Sequence, residues 1–112
     1  MMGMYDKEEA LELLLADVAD LLEDLYQSGF DTVHDSTLEA LKRMAKRTAI
    51  YGMELLSELL SKLTDGLAMR RHQIEHKEDS LIDVYAKLNR YIDLCREKIE
   101  RDKGIRYYLQ QE

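Results

Sequence analysis

No proline occurs anywhere in this chain, and five glycines among 112 residues are its only strong backbone breakers. A chain with so little punctuation favours long helices, and the positions of its glycines and caps decide where those helices stop. Apolar residues recur at three-and-four spacing throughout, and no stretch alternates with the period of two that a half-buried strand needs. The spacing therefore predicts an all-α chain, an antiparallel bundle of about four helices, open to completion by homo-oligomerisation.

Asp6 followed by Glu9 can form a capping box. From there Leu11, Leu14, Leu15, Val18, Leu21, Leu22 and Leu25 mark a first helix over 6–28, closed by Gly29 in a left-handed C-terminal position. Residues 30–35 read as a loop. Ser36 and Glu39 repeat the capping-box spacing ahead of a narrower stripe, Leu38, Leu41, Met44, Ala45, Thr48 and Ala49, which ends before Gly52. A third helix runs from Met53 to about His76, and Gly66 leaves it either continuous, bent or broken. Asp79 and Ser80 are N-cap candidates for a fourth helix whose seam is Leu81, Tyr85, Leu88, Ile92, Cys95 and Ile99, with Ile82, Val84 and Tyr91 widening its apolar face. Gly104 is expected to end that helix and leave 105–109 as an aromatic tail. At this length the chain should bury roughly 65% of its unfolded surface, which suits a single domain over 1–112.

Composition narrows the setting. The single Cys removes any disulfide framework and fits a reducing, cytoplasmic compartment, and no apolar run approaches the roughly 18 residues of a membrane helix. The net charge of −7 is unevenly spread, with a net of −10 over residues 1–41 and +3 over residues 42–112. Such a division supplies a solvated acidic face, or a docking face for a basic partner or for the basic part of a second subunit.

Few constellations carry chemistry. His72, Glu75 and His76 match H-x-x-E-H, in which two histidines one helical turn apart share a face and chelate zinc while the glutamate polarises a bound water. Arg70, Arg71 and Lys77 crowd that pair with positive charge, and a third ligand is not evident, so a solvated helix end is the plainer expectation. The Glu-x-x-His pairs of a di-iron bundle are absent, as are phosphate-binding and dinucleotide motifs. Cys95 lies on the seam and reads as core filler. No catalytic residue and no cofactor are expected.

Lys42, Arg43, Lys46 and Arg47 share one side of the second helix, where they could meet phosphates. Leu55, Leu59 and Leu63 form a stripe beside Leu56, Leu60 and Leu67, making the third helix apolar over a broader arc than one neighbour needs. Tyr107 and Tyr108 add exposed aromatic surface or fold back on the bundle.

The strings 25–33 (LYQSGFDTV), 36–39 (STLE) and 51–53 (YGM), within Leu25 to Leu67, resemble the helical segment that accompanies the SWIM zinc finger in some bacterial proteins. The finger holds its metal with a Cys-x-Cys and a Cys-x-His pair, and this chain has one Cys, so no ligand carries over. The resemblance implies an accessory helical module, linked to nucleic acid by association. The expected function is thus a non-enzymatic protein–protein interaction or assembly module, self-associating, using Leu55, Leu59, Leu63, Tyr107 and Tyr108. An accessory domain of a nucleic-acid-associated protein, using the basic helix face, and a zinc-dependent hydrolase are the alternatives.

Overall fold

The computed structural model describes residues 7–70 and 80–110, which form four helices: α1 (Lys7–Ser28), α2 (Asp35–Ile50), α3 (Glu54–Arg70) and α4 (Ser80–Gln110). No strand occurs among the described residues. The fold is an all-α bundle in which α1 contacts α2 and α4, and α3 contacts α2 and α4.

Short links set α1 and α2, and α2 and α3, antiparallel. At the end of α1, Gly29 sits at φ +89° and its N–H donates to the Leu25 carbonyl at 2.9 Å, closing the helix with a single left-handed residue. At the end of α2, Gly52 adopts φ +79°, its N–H donates to Ala49 O, and the Met53 N–H donates to Thr48 O at 2.9 Å. These two bonds make a Schellman motif, which reverses the chain within three residues and lays α3 back along α2. Order along α1 and α4 is likewise reversed, since Leu22 meets Tyr85 while Glu12 meets Lys103.

The core is one cluster built mainly of leucine. Leu14, Leu15, Leu22 and Leu25 from α1, Leu41 from α2, Leu56, Leu60, Leu63 and Leu67 from α3 and Leu88 from α4 are all inaccessible to solvent. Each such side chain contributes roughly 1.5–3 kcal/mol on leaving water. Two buried threonines remain compatible with this apolar setting because their hydroxyls donate within their own helices, Thr48 to the Met44 and Ala45 carbonyls and Thr64 to the Leu60 carbonyl.

Two expectations change and one open point is settled. Helix α2 begins one residue early, at Asp35, with His34 in the extended N-cap position and no side-chain cap bond, so Ser36 and Glu39 do not form the expected capping box. The His34 carbonyl instead accepts from the Thr37 and Leu38 N–H groups, and Asp35 places a carboxylate at the positive end of the helix. Helix α3 is continuous through Gly66, one of the outcomes its spacing left open, and at that glycine α4 comes so close that an added Cβ would lie 2.7 Å from Leu81 Cδ1. Gly104 does not end the fourth helix, which runs through it to Gln110. A glycine in a helix interior costs only about 1 kcal/mol relative to alanine, and the intact backbone ladder on either side outweighs it. The expected aromatic tail is therefore the last part of α4.

At 31 residues α4 is about 46 Å long, against about 26 Å for the 17 residues of α3. The molecule measures 62 × 27 × 23 Å as a result.

Candidate functional site

Built up from the residues, the surface holds two regions of interest: the basic side of α2, and the apolar groups that the bundle leaves in water. On α2, helical spacing does bring Lys42, Arg43, Lys46 and Arg47 to one exposed side. Two of them are already engaged. Lys42 lies 3.6 Å from Glu39, and Arg47 lies 3.7 Å from Asp17 of α1, with a further contact to Met44 Sδ at 3.8 Å. Arg43 and Lys46 line a shallow groove of about 260 Å³ between α2 and α3, whose other charged walls are Glu39, Lys42 and Asp65. Carboxylates within that groove reduce its pull on phosphate.

The proposed apolar stripe separates into two kinds of residue. Leu59 and Leu63 belong to the chain's own core, 8% and 0% exposed, so they offer nothing to a partner. Leu55 is half exposed, beside Ile50 and Tyr51 at the α2–α3 turn. Tyr107 and Tyr108 are also exposed, at 66% and 72%, and do not fold back on the bundle. Sequence reasoning placed Ile105 and Leu109 in the tail but not among the interaction residues; they continue the same projecting end of α4, with Leu94 three turns before Ile105. Their signal was present as three-and-four spacing beyond Gly104, hidden only by treating that glycine as a stop.

An apolar groove of about 350 Å³ lies between α1 and α4, lined by Leu11, Leu15, Met53, Cys95 and Ile99, with Lys98 and Asp102 at its rim. Cys95 is partly buried and packs against the core there, in keeping with the expected filler role. One turn before it, the Tyr91 hydroxyl has its pKa pushed up by burial and, in the same direction, by the neighbouring Cys95 thiol.

His72, Glu75 and His76 lie outside the described residues. Among the described residues no group of three His, Cys, Asp or Glu side chains is placed to hold a metal ion, and no helix is long and apolar enough to cross a membrane. Comparison with models of known protein families, with characterised proteins and with solved structures found no match to this chain.

Proposed function

We propose that this chain is a non-enzymatic helical assembly module, a single domain that works by protein–protein contact in the cytoplasm and whose first partner is a second copy of itself. The observation that carries this reading is the end of α4, where Ile105, Tyr107, Tyr108 and Leu109 are each more than half exposed. Large apolar side chains clustered on one projecting element are what an interaction surface presents, whereas scattered single ones are ordinary. Tyrosine suits such a surface because its ring supplies contact area and its hydroxyl tolerates water at the rim. The lone Cys supports the reducing compartment.

Solution mass, measured by light scattering behind a sizing column at low and high salt, tests the reading. A dimer or larger species is expected, and Ile105→Glu with Leu109→Glu is expected to shift it toward monomer. A monomer at every concentration would overturn self-assembly. A second reading, a nucleic-acid-associated accessory domain, draws on Arg43 and Lys46, for which no ion pair occurs among the described residues.

A further inference from the structure

The α4 helix carries a second stripe on the side away from the core. Arg90, Leu94, Glu97, Arg101, Gly104 and Tyr108 follow one another at intervals of four and three, and all are exposed. Leu88, Ile92, Cys95 and Ile99 form the opposite stripe, turned into the bundle. The outer stripe therefore has the spacing of a helix-pairing seam, and among the described residues no helix lies against it.

Its charges have an order of their own. Reading outward from Ile99, Lys98 and Glu100 are opposite in sign, as are Glu97 and Arg101, and then Arg96 and Asp102. A segment with that symmetry is complementary to itself when turned end for end. Set antiparallel with Ile99 level with Ile99, two copies place Glu97 of each opposite Arg101 of the other on the outer stripe, while Lys98 and Asp102 pair with each other at the rim of the inner groove. The same register puts Leu94 over Gly104, where nothing lies within 4 Å of an added Cβ, and brings Arg90 to the ring of Tyr108.

We infer that α4 pairs with α4 of a second copy in this antiparallel register, centred on Ile99 and joined by Glu97–Arg101 contacts on either side of the two-fold axis. The inference deepens the self-assembly reading and rests on it. Other arrangements are worse: a parallel in-register pair sets Glu97 against Glu97 and Arg101 against Arg101, and an antiparallel pair shifted by one heptad either sets Arg90 against Arg101 or, in the other direction, sets Glu97 against Tyr108 and Arg101 against Gly104 and so loses both ion pairs. Like charges in facing positions are destabilising, so the sequence discriminates between registers. Four of these charges are also available. Arg96 and Glu100, like Glu97 and Arg101, are spaced to pair within their own helix, yet among the described residues none of the four does so. The overlap would run from Leu88 to Gln110, about 34 Å, with the two bundles on opposite sides of the paired helices. Leu94, Tyr107 and Tyr108 supply apolar contact around the charged centre.

The test uses the full chain and three proteins: wild type, Glu97→Arg, and Glu97→Arg combined with Arg101→Glu. Dimer dissociation constants come from sedimentation equilibrium over a concentration series, with helicity by circular dichroism as the check on folding. Because Glu97 and Arg101 are exposed, both variants should fold. Glu97→Arg replaces two attractive contacts by two repulsive ones and should weaken the dimer by about tenfold or more, while the double variant restores opposite signs and should recover the wild-type constant. A wild-type dimer that Glu97→Arg leaves unchanged, or a double variant that fails to recover, would overturn this register and leave self-assembly standing through another face. A wild-type chain that stays monomeric throughout would overturn both.

Discussion

The Tyr85 hydroxyl donates a hydrogen bond of 2.9 Å to the backbone carbonyl of Leu22, joining α4 to α1 across 63 residues of sequence. The carbonyl belongs to a helix interior and already serves the α1 ladder, so the hydroxyl takes its second lone pair. The ring is held as well, stacked on Tyr26 with centroids 6.2 Å apart and edge-on to Phe30 at 5.2 Å. Tyr85→Phe keeps the ring and removes the bond, and should lower stability by about 1 kcal/mol. Tyr85→Ala removes both and should cost about 3 kcal/mol or more. Urea unfolding midpoints separate the two, and equal midpoints for wild type and Tyr85→Phe would show that the bond contributes nothing.

Helix α3 offers an internal comparison. Leu60 is fully buried whereas Leu55, on the same helix and of the same chemistry, is half exposed. Leu60→Ala leaves a cavity and should cost about 3–5 kcal/mol, while Leu55→Ala should stay within about 0.5 kcal/mol for the isolated chain. Both are read from denaturant unfolding at low protein concentration.

The glycines show where the sequence could be read and where it could not. Gly29 and Gly52 stop helices because the chain turns there and the backbone adopts a positive φ, the conformation in which glycine has no steric penalty. Gly66 and Gly104 are the same residue type, lie in equally helical surroundings by spacing, and stop nothing. What separates the two kinds is tertiary: at Gly66 the neighbouring α4 occupies the space a side chain would need, and at Gly104 the position faces away from the bundle, with nothing within 4 Å of an added Cβ. Gly104→Ala should thus stabilise the chain by about 0.5–1 kcal/mol, and Gly52→Ala should destabilise it by about 1 kcal/mol or more. Thermal unfolding of the two variants should move in opposite directions.

Much the same holds for the surface. Periodicity placed Leu14, Leu22, Leu60, Leu88 and Ile92 in the core, because an apolar stripe has to face something. It could not divide Leu55 from Leu59 and Leu63, since all three share one face and only the depth of the neighbouring helices decides which stays wet. Spacing offers Glu39 to Lys42, three residues on, but could not reveal that Asp17 engages Arg47. The second of these partners lies on another helix, at a position that no local pattern links to Arg47.

Tyr91 makes stability depend on pH at the alkaline end. Its pKa is raised above the ordinary 10.0 because burial, helped by Cys95, disfavours the phenolate in the folded chain. The neutral phenol therefore contributes stability in full below the ordinary value, and this is lost as the pH climbs through the higher folded value. Relative to Tyr91→Phe, wild-type stability should be level up to about pH 10 and fall above it. Parallel difference-free curves across that range would remove Tyr91 as the cause.

The basic side of α2 yields a prediction about nucleic acid that turns on how many of its charges are available. Each phosphate contact releases bound counterions and adds about 0.9 to the slope of log affinity against log salt. With Lys42 and Arg47 paired to carboxylates, Arg43 and Lys46 are the bases of this face left to meet phosphate. Two contacts give a slope of about −1.8, so any binding to duplex DNA should be weak and should fall only about tenfold between 50 and 200 mM salt. Arg43→Glu with Lys46→Glu should then abolish it. A slope near −3.6 in a fluorescence anisotropy titration would mean instead that Lys42 and Arg47 leave Glu39 and Asp17 to bind, and would favour the accessory-domain reading for this face.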